Sequence, residues 1–150
     1  MTVDKKFKLQ SVKIFITSSL ILCAFFCVAQ KFYVAEEAIG VGAPIKEALL
    51  KAMQIVVELP NKADYIVKTE INRNSNAYTR PKMKIMLVDV NTGFSIYETE
   101  MTKFSYSASV EAGAEKEAGR LMEKYGSDLI LAAKKNYLQS QIKRDSIGKG

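Results

Sequence analysis

Apolar and polar positions divide the chain into an uninterrupted apolar run and a longer stretch with two clear periods. The run is Ile14 to Val28, without a charge. From Lys31 onward, apolar residues recur either every second position or at helical spacing. Lys31 to Glu36 (Lys-Phe-Tyr-Val-Ala-Glu) has the aromatic and β-branched content of a short strand. Gly40-Val41-Gly42 breaks it, and Pro44 sits where the first turn of a helix tolerates proline. Ile45, Leu49, Met53 and Val56 then mark a helix that should end near Glu58, because Pro60 disfavours helical geometry at Leu59.

Ala63 to Asn72 alternates as a strand, with Tyr65, Val67, Thr69 and Ile71 on one face and Ile66, Lys68 and Glu70 on the other. The segment from Arg73 to Pro81 is polar and reads as a loop. A hairpin follows, Lys82–Val90 and Phe94–Phe104 around Asn91-Thr92-Gly93, with a type I turn closed by a left-handed glycine. Pairing Val90 with Phe94 sets Met83 opposite Met101, Ile85 opposite Thr99, Leu87 opposite Tyr97 and Lys84 opposite Glu100. Ser107 or Ser109 can cap a second helix. Its stripe is Val110, Ala114, Ala118, Leu121, Tyr125, Leu129 and Ala132, running to about Tyr137. Gly113, Gly119 and Gly126 inside it imply close packing of helix on sheet, or a break near Gly126. The expected fold is α+β: a two-layer sandwich of a small, mostly antiparallel sheet of about four strands with two helices on one face.

The N-terminal run has its own meaning. Lys5, Lys6, Lys8 and Lys13 precede it, and Ala29-Gln30 closes it before the charge at Lys31. A basic head, a short apolar middle and a small exit residue are the pattern of a secretory signal. The run is also shorter than the roughly 18 residues of a permanent span. Cleavage between Ala29 and Gln30 is expected, leaving an exported protein, periplasmic or extracellular. The organisation is then signal 1–29, one α+β domain 30–138, and a flexible polar tail 139–150. Cys23 and Cys27 follow the bulky Leu22 and Phe26, unlike the small residue that precedes a lipid-bearing cysteine. The expectation is therefore export without lipid.

Composition narrows the chemistry. Beyond residue 29 there is no cysteine, so thiol chemistry and cysteine-ligated metals are excluded there. The chain has no histidine, the usual acid, base or ligand near neutral pH. Residues 1–29 hold four lysines and one aspartate, so the net charge of +6 falls to +3 in the remainder. That surplus is interleaved with acids, which argues against nucleic acid as a partner. Gly40-Val41-Gly42 lacks the lysine of a P-loop and the third glycine of a dinucleotide fingerprint, so no cofactor is expected.

Ala63-Asp64-Tyr65-Ile66-Val67, Leu87-Val88-Asp89-Val90-Asn91-Thr92-Gly93 and Phe94-Ser95-Ile96-Tyr97 carry a resemblance. Over about residues 44–135 the chain resembles bacterial envelope domains. These are the N-terminal domain of the Tol translocation β-propeller protein, the curli-secretion channel subunit and the outer-membrane activators of penicillin-binding proteins. The resemblance implies a non-enzymatic domain that binds partners in the cell envelope.

Two features compete as the functional site. Glu98 and Glu100, near Glu70, could serve a small secreted hydrolase as acid and base, although Lys68, Lys82 and Lys84 stand close enough to neutralise them. Asp64 and Asp89, at strand ends, suit turn hydrogen bonding better than metal binding or catalysis. The Ser-x-x-Lys spacing occurs only at Ser140–Lys143 and Ser146–Lys149, in the polar C-terminal stretch, and Gly-x-Ser-x-Gly does not occur, which gives a nucleophile little support. The second face of the hairpin offers instead Val88, Val90, Phe94 and Ile96 near the turn. An apolar group of that size on an open face marks a partner-binding surface.

Overall fold

The computed structural model describes residues 29–36, 40–72, 80–106 and 108–147. The expected signal up to residue 28, most of the 73–81 loop, Ser107 and residues 148–150 lie outside that set. The described chain is the expected two-layer α+β sandwich. Its strands are β1 (Lys31–Val34), β2 (Ile55–Val56), β3 (Tyr65–Asn72), β4 (Lys82–Asp89), β5 (Ser95–Glu98) and β6 (Thr102–Lys103). Its helices are α1 (Gly42–Lys51) and α2 (Val110–Ile147). The sheet has six strands where about four were expected, in the order β2-β1-β3-β4, with β5 and β6 both paired to the far edge of β4.

The two extra strands have local causes. The helix predicted to reach Glu58 stops at Lys51. Met53 adopts a positive φ of 56°. The amide of Gln54 donates to the Leu49 carbonyl and that of Met53 to Leu50. This is the helix-ending loop that usually uses glycine at the Met53 position. The chain reverses there, Met53 is left in solvent, and Ile55–Val56 pairs parallel to β1. On the other side β1 pairs parallel to β3, with Phe32 opposite Tyr65 and Val34 opposite Val67. β6 exists because the outgoing hairpin strand leaves the ladder after Thr99. Thr99 Oγ1 accepts the Ile85 amide at 3.0 Å, and the chain rejoins β4 with Met83 opposite Thr102. Met101 therefore does not face Met83. The expected register holds only in the middle, at Leu87–Tyr97 and at Thr99, whose amide donates to the Ile85 carbonyl.

One continuous core fills the space between the layers. It takes Phe32 and Val34 from β1, Tyr65 and Val67 from β3, and Met83, Ile85 and Leu87 from β4. The helices contribute Ile45 and Leu49, and Ala114, Ala118, Leu121, Leu129 and Ala133. Among the described residues, all of it lies between residues 32 and 133. Both helices share the face of the sheet that carries these side chains.

The second helix differs from expectation at its end. Ser109 caps it, its Oγ accepting the Ala112 amide at 3.1 Å. It neither breaks at Gly126 nor stops near Tyr137. Residues 139–147, expected as a flexible tail, are its last turns. Only one of its glycines answers to close approach. A Cβ at Gly113 would stand 2.7 Å from Tyr106 Cβ and 3.0 Å from the Ser105 carbonyl oxygen, whereas at Gly126 it would meet only the mobile end of Met122, at 3.5 Å. Alanine should thus act with opposite signs. Gly113→Ala is expected to lose about 1–3 kcal/mol by overpacking, and Gly126→Ala to gain up to about 1 kcal/mol from helix propensity. Paired urea melts check this, and equal shifts of the same sign would contradict the packing described.

Candidate functional site

The hairpin tip is built by Asp89, the last residue of β4. Its Oδ1 accepts the amides of Asn91 at 2.7 Å and Thr92 at 3.4 Å. Its carbonyl accepts the Gly93 amide at 2.8 Å. Gly93 is left-handed, with φ 72°, as the turn reading requires. The other carboxylate oxygen reaches across the layers to Asn136 Nδ2 on α2, 2.5 Å away. Nearby, Tyr65 donates its hydroxyl to the Ala133 carbonyl at 2.9 Å. Burial pushes that phenol up to about 12, with the Asn136 side chain bonding it in the opposing sense. Asp64 does a parallel job at the same end of the sheet, where its carboxylate accepts the Lys31 amide at 2.9 Å and its carbonyl accepts the Val90 amide. Both aspartates hold backbone, as the sequence suggests.

The tip does not follow the expected pairing of Val90 with Phe94. The Asp89 amide donates to the Phe94 carbonyl, which leaves Val90 to Gly93 as the loop. Val88 then faces Ser95 while Leu87 faces Tyr97, so Ile96 is the extra residue of a β-bulge. This redistributes the four apolar candidates. Phe94 stands 75% exposed and Val90 36% exposed at the tip. Val88 and Ile96 are half-buried, and Ile96 packs against the edge of the core. The structure thus offers a strongly exposed tip with a partly covered base, rather than four equal members of one patch.

Two further residues extend the base. Tyr33 pairs with Ile66, and Ile66 with Val88, forming a half-buried row across three strands on the side away from the helices. Ile66 was readable from the alternation of β3. Tyr33 was not, because nothing local announces that β1 lies parallel beside β3. The 3-10 turn Pro60–Lys62 lies against β1 near this end of the row.

On the same face, further from the tip, Lys84 sits between Glu70 at 3.1 Å and Glu98 at 2.8 Å. The expected Lys84–Glu100 pair does not form. Glu100 instead accepts a hydrogen bond from the Tyr125 hydroxyl at 3.2 Å. The Lys84 hydrogen bond holds the Glu98 carboxyl below its ordinary range, and those carboxylates in turn raise the lysine. A carboxyl kept ionised by a lysine is a poor general acid. Sequence reasoning also missed Glu117, a buried carboxylate on α2. It binds the Arg120 guanidinium at 2.7 Å, accepts from Thr102 Oγ1 at 2.6 Å, and is lowered chiefly by the Arg120 hydrogen bond. It ties β6 to the helix.

An open crevice of about 500 Å³ lies where β1 and β2 end, lined by Tyr33, Glu36, Lys46, Leu50, Val56 and Glu58. Its lysine is paired with Glu36 at 2.5 Å. No described cluster of three or more His, Cys, Asp or Glu could hold a metal ion, and no described helix is long and apolar enough to cross a membrane.

No family model matches this chain, and no curated protein matches it. Among solved structures it is similar to a dodecamer of a PelC variant from Paraburkholderia phytofirmans. The identity is 17% and the TM-score 0.41, over 67% of this chain and 88% of that one. A likeness that loose carries no argument.

Proposed function

We propose that this protein is an exported, non-enzymatic module of the cell envelope that works by protein–protein contact through its hairpin tip. The observation that carries the reading is Phe94, a large aromatic held 75% exposed on a turn that Asp89 ties down from both sides. A rigid, exposed aromatic is the kind of anchor on which interface energy concentrates. Val90 stands beside it in the loop, and the row Tyr33–Ile66–Val88 supplies an apolar base. Export rests on the basic head, the apolar run and the Ala29-Gln30 exit. The position of Gln30 supports it, since this residue is buried in the domain and its carbonyl accepts the Ile55 amide at 3.2 Å. Gln30 thus joins the described sheet directly beside the expected cleavage point. The family resemblance supports the same reading, while the Lys84-bridged carboxylates weigh against a hydrolase.

The test is in-cell crosslinking in the envelope fraction, comparing the native chain with Phe94→Asp. The native chain, sequenced from its N-terminus, should begin at Gln30 and carry no lipid. Phe94→Asp should shift the melt by under about 0.5 kcal/mol, as exposed positions usually do, and lose the crosslinked partner. A folded variant that still captures the same partner would end the tip reading, and a chain starting at Cys23 or Cys27 would end the export reading.

A further inference from the structure

Gln30 immediately precedes β1, and the sheet fixes the backbone on both of its flanks. Its carbonyl accepts the Ile55 amide at 3.2 Å, and the amide of the next residue, Lys31, donates to Asp64 Oδ2 at 2.9 Å. Gln30 itself is 2% exposed. Its side-chain oxygen Oε1 is buried and accepts no hydrogen bond among the described residues. A buried amide oxygen without a donor is uncommon and calls for a cause. Cleavage after Ala29 would add a second polar group to the same residue, a free α-amine. With an ordinary pKa of about 7.7–8.0, that amine is mostly charged at neutral pH. A charge on so buried a residue is costly unless it is paired, and the Asp64 carboxylate is already engaged by the Lys31 amide.

We propose that Gln30 is a modification site, where the α-amine freed by cleavage closes on the residue's own carboxamide to form a pyroglutamyl lactam. The inference rests on the export reading, which supplies the amine. The nitrogen lone pair forms a bond to Cδ and the Cδ–Nε2 bond breaks. Nε2 leaves as ammonia, carrying the proton that the α-nitrogen gives up, so neither an oxidant nor a second substrate is consumed. Attack needs the neutral amine, and burial favours that form by penalising the ammonium. Among the described residues, no hydrogen bond to Oε1 has to break before the ring closes. The Gln30 carbonyl takes no part in the ring and keeps its bond from Ile55. The product is neutral, and its nitrogen is again an amide, as in the uncut chain. Both polar liabilities at this buried place are met in one step: the charge is removed, and the carboxamide is drawn back to the end of the strand.

The experiment is an intact-mass measurement of the native protein purified from the envelope fraction, made at once and after prolonged incubation at neutral pH. The N-terminal peptide is read by mass spectrometry, because a lactam has no amine for stepwise chemistry to attack. The chain beginning at Gln30 should be lighter than its sequence by one ammonia, in a fraction that grows on incubation to the whole population. An amine-directed reagent should then label its lysines and miss its N-terminus. Gln30→Asn is one methylene too short to close the ring, so it should keep its ammonia and a labelled N-terminus. The thermal midpoint of the native chain should rise in step with the lactam fraction, since a buried charge is being removed. A chain that begins at Gln30 and retains its ammonia throughout would overturn the lactam and leave the cleavage reading standing. A chain that begins at another residue would end both. A midpoint that falls as ammonia is lost would overturn the fit of the ring to this place.

Discussion

Leu87→Ala and Leu121→Ala should each remove about 2–5 kcal/mol of stability, the range for truncating a large buried aliphatic whose surroundings cannot collapse. Both side chains are wholly buried. Leu87 sits in the middle of β4, between Val67 on β3 and Tyr97 on β5, so three strands would have to shift to fill its void. Leu121 lies midway along the buried stripe of α2, in the same cluster as Ile45 and Leu49 of α1. For a domain of about 120 residues, whose net stability is commonly 5–15 kcal/mol, either loss is a large fraction. Urea denaturation with an unchanged slope is the measurement. A loss under about 0.5 kcal/mol at either position would mean that the two layers do not meet as described. The same apparatus should find Phe94→Asp nearly silent, and that contrast separates the core from the tip.

The inward faces of β3 and β4 were legible because the period of two persists for eight residues in each, and one buried side leaves only one register. The turn of α1 into β2 was not. Its signal would have been a glycine at position 53, and a methionine stands there instead, held left-handed because Ile55–Val56 must reach the edge of β1. The end of α2 was missed for another reason. Residues 139–147 have no clean burial pattern, yet Gln139, Gln141, Lys143 and Arg144 are good helix formers. No glycine or proline intervenes between Gly126 and Gly148, so a helix already nucleated continues at little cost. At the candidate site the sequence showed which residues gather at the turn, but not how they share exposure. The bulge at Ile96 moves the pairing by one position, and a bulge depends on the whole ladder rather than on its own residues. Lys84 found Glu98 and Glu70 instead of Glu100 for a related reason. Beyond Thr99 the strand has left β4.

Asp89→Ala should be the most damaging polar substitution in the domain, with an expected loss of about 2–4 kcal/mol. The carboxylate accepts from two turn amides and from Asn136, and hydrogen bonds to a charged group contribute roughly 1.5–3 kcal/mol each where water cannot replace them. The turn amides are close enough to solvent to recover part of this, which keeps the sum below three full bonds. Asn136 lies deeper and would have to turn away. Asp89→Asn provides the internal control. Its side-chain oxygen can still accept from the turn, and its NH₂ can donate to Asn136 once that amide is reversed, so it should lose under about 1 kcal/mol. The coupling is measurable by a double-mutant cycle with Asn136→Ala, where residues in direct contact give interaction energies of about 0.5–3 kcal/mol. Zero coupling would mean that the tip is not fastened to α2, and Phe94 would then lose the rigidity that qualifies it as an anchor. A strong coupling together with an intact Phe94→Asp melt is the combination expected of a contact surface that is exposed yet fixed in place.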